Sequence, residues 1–234
     1  MTEFLPGTNG RKRVYLMRHG EVSYFDADGR ARNPDEVELT EAGRAQARAM
    51  AELLAEIQFH RAVHTGLARS RQTLELVLNG RAIEPEEHAG LRELRPGRLV
   101  HLTPEALDAE FVYGLERAAE PGARFAGGEV YADAEARMTG ALEPILAAPG
   151  WSRLLLVAHD GTNRMLLGWV TGGGLASLGA FEQDPGCLNI VDVDIVGGRV
   201  VRKLIKALNL TPANLVKRGN YMTSLEQIFR LGRS

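Results

Sequence analysis

Two continuous apolar runs, Val14–Leu16 and Leu154–Ala158, constrain this chain more than any other feature. Neither alternates with polar residues, so each reads as a parallel strand covered on both faces. Each also leads towards a histidine. Met17-Arg18-His19-Gly20-Glu21 closes the first strand with an imidazole beside a guanidinium on a glycine turn, and His159 follows the second. Two such turns at two strand ends point to one site built to hold and attack a phosphate.

Strand and helix patterns alternate along the rest. Thr40 caps a helix whose Ala45, Ala49, Met50, Leu53, Leu54 and Ile57 fall on one stripe. Short strands are expected at Ala62–Thr65 and around Glu86–Ala89, and helices over Leu67–Leu78, Val130–Ala147 and Thr162–Val170. Cys187–Val196 and Arg199–Ile205 read as a hairpin across Gly197-Gly198. This spacing predicts an α/β fold, a three-layer sandwich with a mostly parallel, doubly wound sheet and helices on both faces. Residues 95–128, rich in turn formers around one helical pattern at Pro104–Arg117, read as a small inserted cap. The expectation is a single domain over 1–234, with a loose lead-in over 1–10 and a tail from about residue 209 that carries a last helical pattern at Ser224–Leu231. The tail is expected to pack either on the cap or on a neighbouring subunit of a homodimer.

Lysine and arginine number 28 against 30 acidic residues, a net charge of −2, so no global field draws in nucleic acid or an anionic membrane. Arg11-Lys12-Arg13 reads as a solvated lead-in to the first strand. Cys187 is the only cysteine, which rules out an internal disulfide and fits a reducing cytoplasm. No apolar run reaches the roughly 18 residues of a membrane span. The expected location is cytoplasmic, and the expected partner a small-molecule phosphate ester rather than nucleic acid or membrane.

Ligands of open α/β sheets bind beyond the carboxyl ends of the strands. Arg18, His19 and His159 lie at such ends, and Arg69 begins the helix after a third strand. Two guanidinium forks and two imidazoles make an anion cage, since forks match phosphate oxygens two at a time. His60, His64, His88 and His101 lack metal-ligand spacing, so neither metal nor cofactor is expected. His64, at a strand end, and His101, in the cap, are the two placed within reach of a ligand.

The order of short motifs resembles the histidine phosphatase superfamily, the phosphoglycerate-mutase-like group. Arg18-His19-Gly20-Glu21 is followed by Leu39-Thr40-x-x-Gly43, Thr65-x-Leu67-x-Arg69-x-x-Gln72-Thr73, Leu91-Arg92-Glu93 and His159-x-Gly161, a resemblance covering about residues 12–205. It implies that His19 is a nucleophile forming a phosphohistidine and that Arg18, Arg69 and His159 hold the phosphoryl oxygens. It also implies that Glu93 protonates the leaving oxygen and then deprotonates water, with Glu21 and Glu87 as rival carboxylates. The chain departs from the pattern at its rim. Val22 and Phe25 stand where many members carry Thr or Ser and Asn, and Asp160 replaces a usual glycine. Gly97 is followed by Arg98-Leu99-Val100-His101 instead of the Trp-Glu-Gly pattern common there.

Substrate contacts are expected from Glu21, Tyr24, Phe25, His64, Asp160 and Asn163. Tyr24 and Phe25 read equally as loop packing or as an apolar wall. Asp160 reads as a helix N-cap or as a partner orienting a cage residue. The reading is a metal-independent phosphomonoesterase acting on a small phosphorylated metabolite. Its rivals are a cofactor-dependent phosphoglycerate mutase and a non-catalytic phosphate-binding regulator.

Overall fold

The computed structural model describes residues 10–26, 28, 30, 32–97 and 112–231. Most of the expected lead-in, cap residues 98–111 and the proposed reach of His101 therefore lie outside the described residues. Among the described residues six strands form one sheet in the order β3-β2-β4-β1-β5-β6. They are β1 (Lys12–Arg18), β2 (Arg61–His64), β3 (Pro85–Glu87), β4 (Arg153–Ala158), β5 (Leu188–Val196) and β6 (Arg199–Leu210). The first four in sheet order run parallel, and β5 and β6 add antiparallel strands beside β1.

Four helices cover the two faces: α1 (Glu41–Leu53), α2 (Ala68–Leu78), α3 (Tyr131–Ala147) and α4 (Asp160–Thr171). Strand side chains alternate between two cores, as the pleat requires. Tyr15, Met17, Leu155 and Val157 pack with Met50 of α1 and Leu74 of α2. Val14, Leu16, Leu154 and Leu156 pack with Met138 of α3 and Met165 of α4. Both faces are dry, which is why β4 carries an unbroken apolar run.

Lys12 corrects the reading of a solvated basic lead-in. It is 7% exposed. Its Nζ donates to the carbonyl oxygens of Leu146 at 2.7 Å and of Ala148, and lies 4.4 Å from the centre of the Trp151 ring. An ammonium here satisfies carbonyls left open at the end of α3 and sits on an aromatic face. Arg11 and Arg13 pair with Asp194 and Asp192.

The chain leaves neighbouring strands in opposite directions. β1 leads through α1 to β2 on one side, and β4 leads through α4 to β5 on the other. A crevice opens where such connections diverge, beyond the register pair Arg18 and Ala158. The described part of the cap contains only short 3-10 turns at Gly114–Arg117 and Phe125–Gly127. The hairpin strand β6 runs to Leu210, past its expected end at Ile205. A final helix, α5 (Ser224–Leu231), lies at the mouth of the crevice with Leu225 in the core.

Candidate active site

Two glycines fix the turn that ends β1. A Cβ on Gly20 would meet the Gly43 carbonyl oxygen at 2.5 Å, and one on Gly43 would meet the Glu21 oxygen at 2.2 Å. The first turn of α1 is thus pressed, backbone against backbone, on His19-Gly20-Glu21. Thr40 caps α1 by accepting from the Gly43 amide at 3.1 Å, and donates to Glu21 Oε1 at 2.8 Å. From α2, Thr73 Oγ1 accepts from the Gly20 amide at 3.0 Å.

This turn places His19 at 2% exposure. Its Nδ1 lies 2.7 Å from the Gly20 carbonyl, which can only accept, so Nδ1 carries the proton and Nε2 the lone pair. Arg69 Nε donates to that Nε2 at 3.2 Å. Burial, with the Arg69 and Arg18 charges added, holds the imidazole well below its ordinary range. The buried neutral ring is set up as a nucleophile.

His159 meets His19 edge to face, ring centres 5.2 Å apart. Its Nε2 is 2.8 Å from Thr65 Oγ1, while its buried Nδ1 has no partner among the described residues. Burial and then the charge of Arg69 keep it neutral too. Arg18 donates from Nη1 to the Gln183 carbonyl, and its buried Nε has no partner among the described residues. Arg69 Nη1 donates to the Pro34 carbonyl at 2.5 Å, tying the first loop to the cage.

Glu93 sits over the first turn of α4. Its Oε1 accepts from the amides of Leu94 at 2.8 Å and Thr162 at 3.1 Å, and its Oε2 from that of Gly161 at 3.1 Å. A Cβ on Gly161 would meet Glu93 Oε1 at 2.6 Å, so a side chain there would push the carboxyl away. Burial and then the Asp160 charge raise the Glu93 carboxyl above its usual range, against those three donors.

Asp160 is no N-cap; His159 holds that position. The Asp160 carboxylate instead joins Arg164 Nε and Ser224 Oγ of α5, and lies 3.5 Å from Arg18 Nη1. Burial opposes its charge, but Arg18 and Arg164 outweigh it and hold it low. Arg164 also reaches Glu182 at 3.1 Å.

A cavity of about 650 Å³ opens over these groups, with Arg18, His19 and Arg69 in its lining together with Glu93 and Asp160. Tyr24 and Phe25 form part of its wall. Three expected substrate contacts do not. The exposed Glu21 is engaged by Thr40. His64 accepts from the Gly66 amide at 3.0 Å. Asn163 is buried behind the cage beside Gln183, at 3.1 Å. Sequence patterns missed Arg137, which donates to the carbonyls of Gly90 at 2.8 Å and Arg92 at 2.9 Å and so braces the stretch leading to Glu93. They also missed Leu225, Ile228 and Phe229, which line the same cavity from α5. Their three-to-four spacing was visible, but nothing local said what that face covers.

Residues 14–205 match the family model described as histidine phosphatase superfamily, branch 1. A relative named "Probable phosphoglycerate mutase GpmB", from Photorhabdus laumondii, is 32% identical over 162 residues, 68% of this chain and 75% of the relative. Among solved structures, a mycobacterial glucosyl-3-phosphoglycerate phosphatase is 24% identical with a TM-score of 0.69, covering 85% of this chain and 99% of that one. The alpha-ribazole phosphatase of Shigella flexneri is 24% identical with a TM-score of 0.67, covering 84% of this chain and 96% of that one. At these identities the two structures speak for the fold alone.

Proposed function

Because the chain belongs to the histidine phosphatase superfamily, we propose that it hydrolyses a small phosphate monoester through a phosphohistidine on His19. The observation that carries this reading is the neutral His19 with its lone pair on Nε2, set among Arg69 and Arg18. In the proposed sequence Arg18 and Arg69 turn their N–H forks onto the phosphoryl oxygens, and His159 offers its unpartnered Nδ1 side. The lone pair of Nε2 then attacks phosphorus as the P–O bond to the alcohol breaks. Glu93, whose carboxyl burial raises above its usual range and so favours in the acid form, gives its proton to the departing oxygen. Water next attacks the phosphohistidine, returning a proton to Glu93 and releasing inorganic phosphate. Side chains supply the positive charge, so the route is metal-independent.

The test is direct. With a generic aryl phosphate, acid-labile, alkali-stable phosphoprotein accumulates in single turnover, and His19→Ala abolishes both this species and turnover while the protein stays folded. Turnover that survives in His19→Ala sinks the reading. The name carried by the relative above supports a second reading, transfer between the two phosphoglycerates. Interconversion of 2- and 3-phosphoglycerate faster than release of phosphate would establish it instead.

A further inference from the structure

The cavity above His19 is shaped for more than a phosphate. Beyond its polar floor much of the wall is apolar, and two distant parts of the chain supply its aromatic and branched side chains. Tyr24 and Phe25 come from the loop after β1, and the half-buried Ile228 and Phe229 come from α5. α5 is held in place at its first turn. Ser224 Oγ donates to Asp160, the Ser224 amide donates to Glu182 Oε1 at 3.0 Å, and Leu225 is buried in the core.

Three of the guanidinium groups around the wall are already paired, while Arg32 lines the cavity beside Asp35 of the same loop. Arg95 and Arg137 are each 2.9 Å from a Glu129 oxygen, and Arg92 lies 3.6 Å from Glu87. Their charge is already answered. A polyhydroxylated alcohol seated against Tyr24, Phe25, Ile228 and Phe229 would leave hydroxyls facing hydrocarbon, whereas a flat ring would bury its faces there. A cavity of about 650 Å³ has room for a ring beside the phosphoryl group.

The geometry points to a substrate class: the leaving alcohol carries an aromatic or other apolar ring, and Ile228 and Phe229 of α5, lining one cavity with Tyr24 and Phe25, select it. This deepens the phosphomonoesterase reading and rests on it.

Two esters of primary alcohols test it, 2-phenylethyl phosphate against glycerol 3-phosphate, whose similar leaving groups separate recognition from chemistry. The expected result is a preference for the phenylethyl ester of about tenfold or more in kcat/KM, chiefly through KM. Ile228→Ala and Phe229→Ala each shrink that ratio by about tenfold. Tyr221→Ala, on the 92% exposed Tyr221 away from the wall, leaves the ratio where it was. Equal turnover of the esters, or a preference for glycerol 3-phosphate, overturns the ring assignment while the phosphatase reading stands. A preference that survives both α5 substitutions overturns the role of α5. If neither ester turns over and His19 takes up no phosphoryl group, the phosphatase reading falls and takes the inference with it.

Discussion

Arg69 and His19 share a hydrogen bond, Nε to Nε2 at 3.2 Å, at the one imidazole nitrogen that carries a lone pair. The nucleophile is therefore masked by the same guanidinium proposed to grip the substrate. A phosphoryl group that draws the fork onto its own oxygens frees Nε2 in the same movement.

Arg69→Lys keeps a charge but loses the fork and the bond to Nε2. We expect kcat/KM for an aryl phosphate to fall about 100-fold, with inorganic phosphate weakened as a competitive inhibitor. Wild-type turnover in this variant would remove Arg69 from the cage.

Glu93 must hold a proton to serve as the acid, and burial followed by the Asp160 charge raises it above the usual carboxylate range. Activity should therefore decline as pH rises through that raised value, while His19, neutral well below its ordinary range, adds no limb near pH 6.5. Glu93→Gln should slow alkyl esters by about 100-fold or more and p-nitrophenyl phosphate much less in the first step, and the alkaline limb should vanish. An unchanged pH profile would assign the acid elsewhere.

His159 is neutral in the fold because burial, then Arg69, lowers it well below its ordinary range. Below about pH 6.5 the unfolded chain takes up a proton that the folded ring refuses. Stability is whole above that pH and is lost as pH falls beneath it, by up to about 1.4 kcal/mol per pH unit for each such imidazole. His159→Asn should remove one such proton from the slope, leaving that of His19. Urea unfolding at about pH 7.5 and about pH 5.5 measures the difference, and parallel losses in both proteins would contradict it.

The Glu129 side chain is 7% exposed, which pushes its carboxyl up, yet Arg137 and Arg95 outweigh this and hold it at about 2. Arg137→Ala leaves that charge to Arg95 alone and should cost about 2 kcal/mol of stability. It also frees the carbonyls of Gly90 and Arg92 next to Glu93. Adding Glu129→Gln should restore most of the stability but not kcat. Full recovery of kcat would show that Arg137 acts through Glu129 alone.

The parts of this protein that a short window records are legible in its sequence. Unbroken apolar runs marked β1 and β4, and the motif order brought Arg18, His19, Arg69 and His159 to one place. The rest depended on pairings that no local pattern carries. Lys12 looked solvated because its neighbours are basic, yet its partners are carbonyls at the end of α3 and the ring of Trp151. Asp160 reads as a cap or as a partner of a cage residue, and only the fold shows that it answers Arg18, Arg164 and a serine from α5. Periodicity showed that α5 has an apolar face, and only the fold showed that the face overlooks the crevice.

The backbone contact of Gly20 with Gly43 and the wall made by Tyr24, Phe25 and α5 divide the labour of the molecule. The reacting groups hang from a joint that admits no side chain, so that part is frozen against change. The wall consists of side chains on a loop and on a helix that lie outside the sheet. Evolution or a mutagenesis library can retune which alcohol is accepted there without disturbing the chemistry beneath.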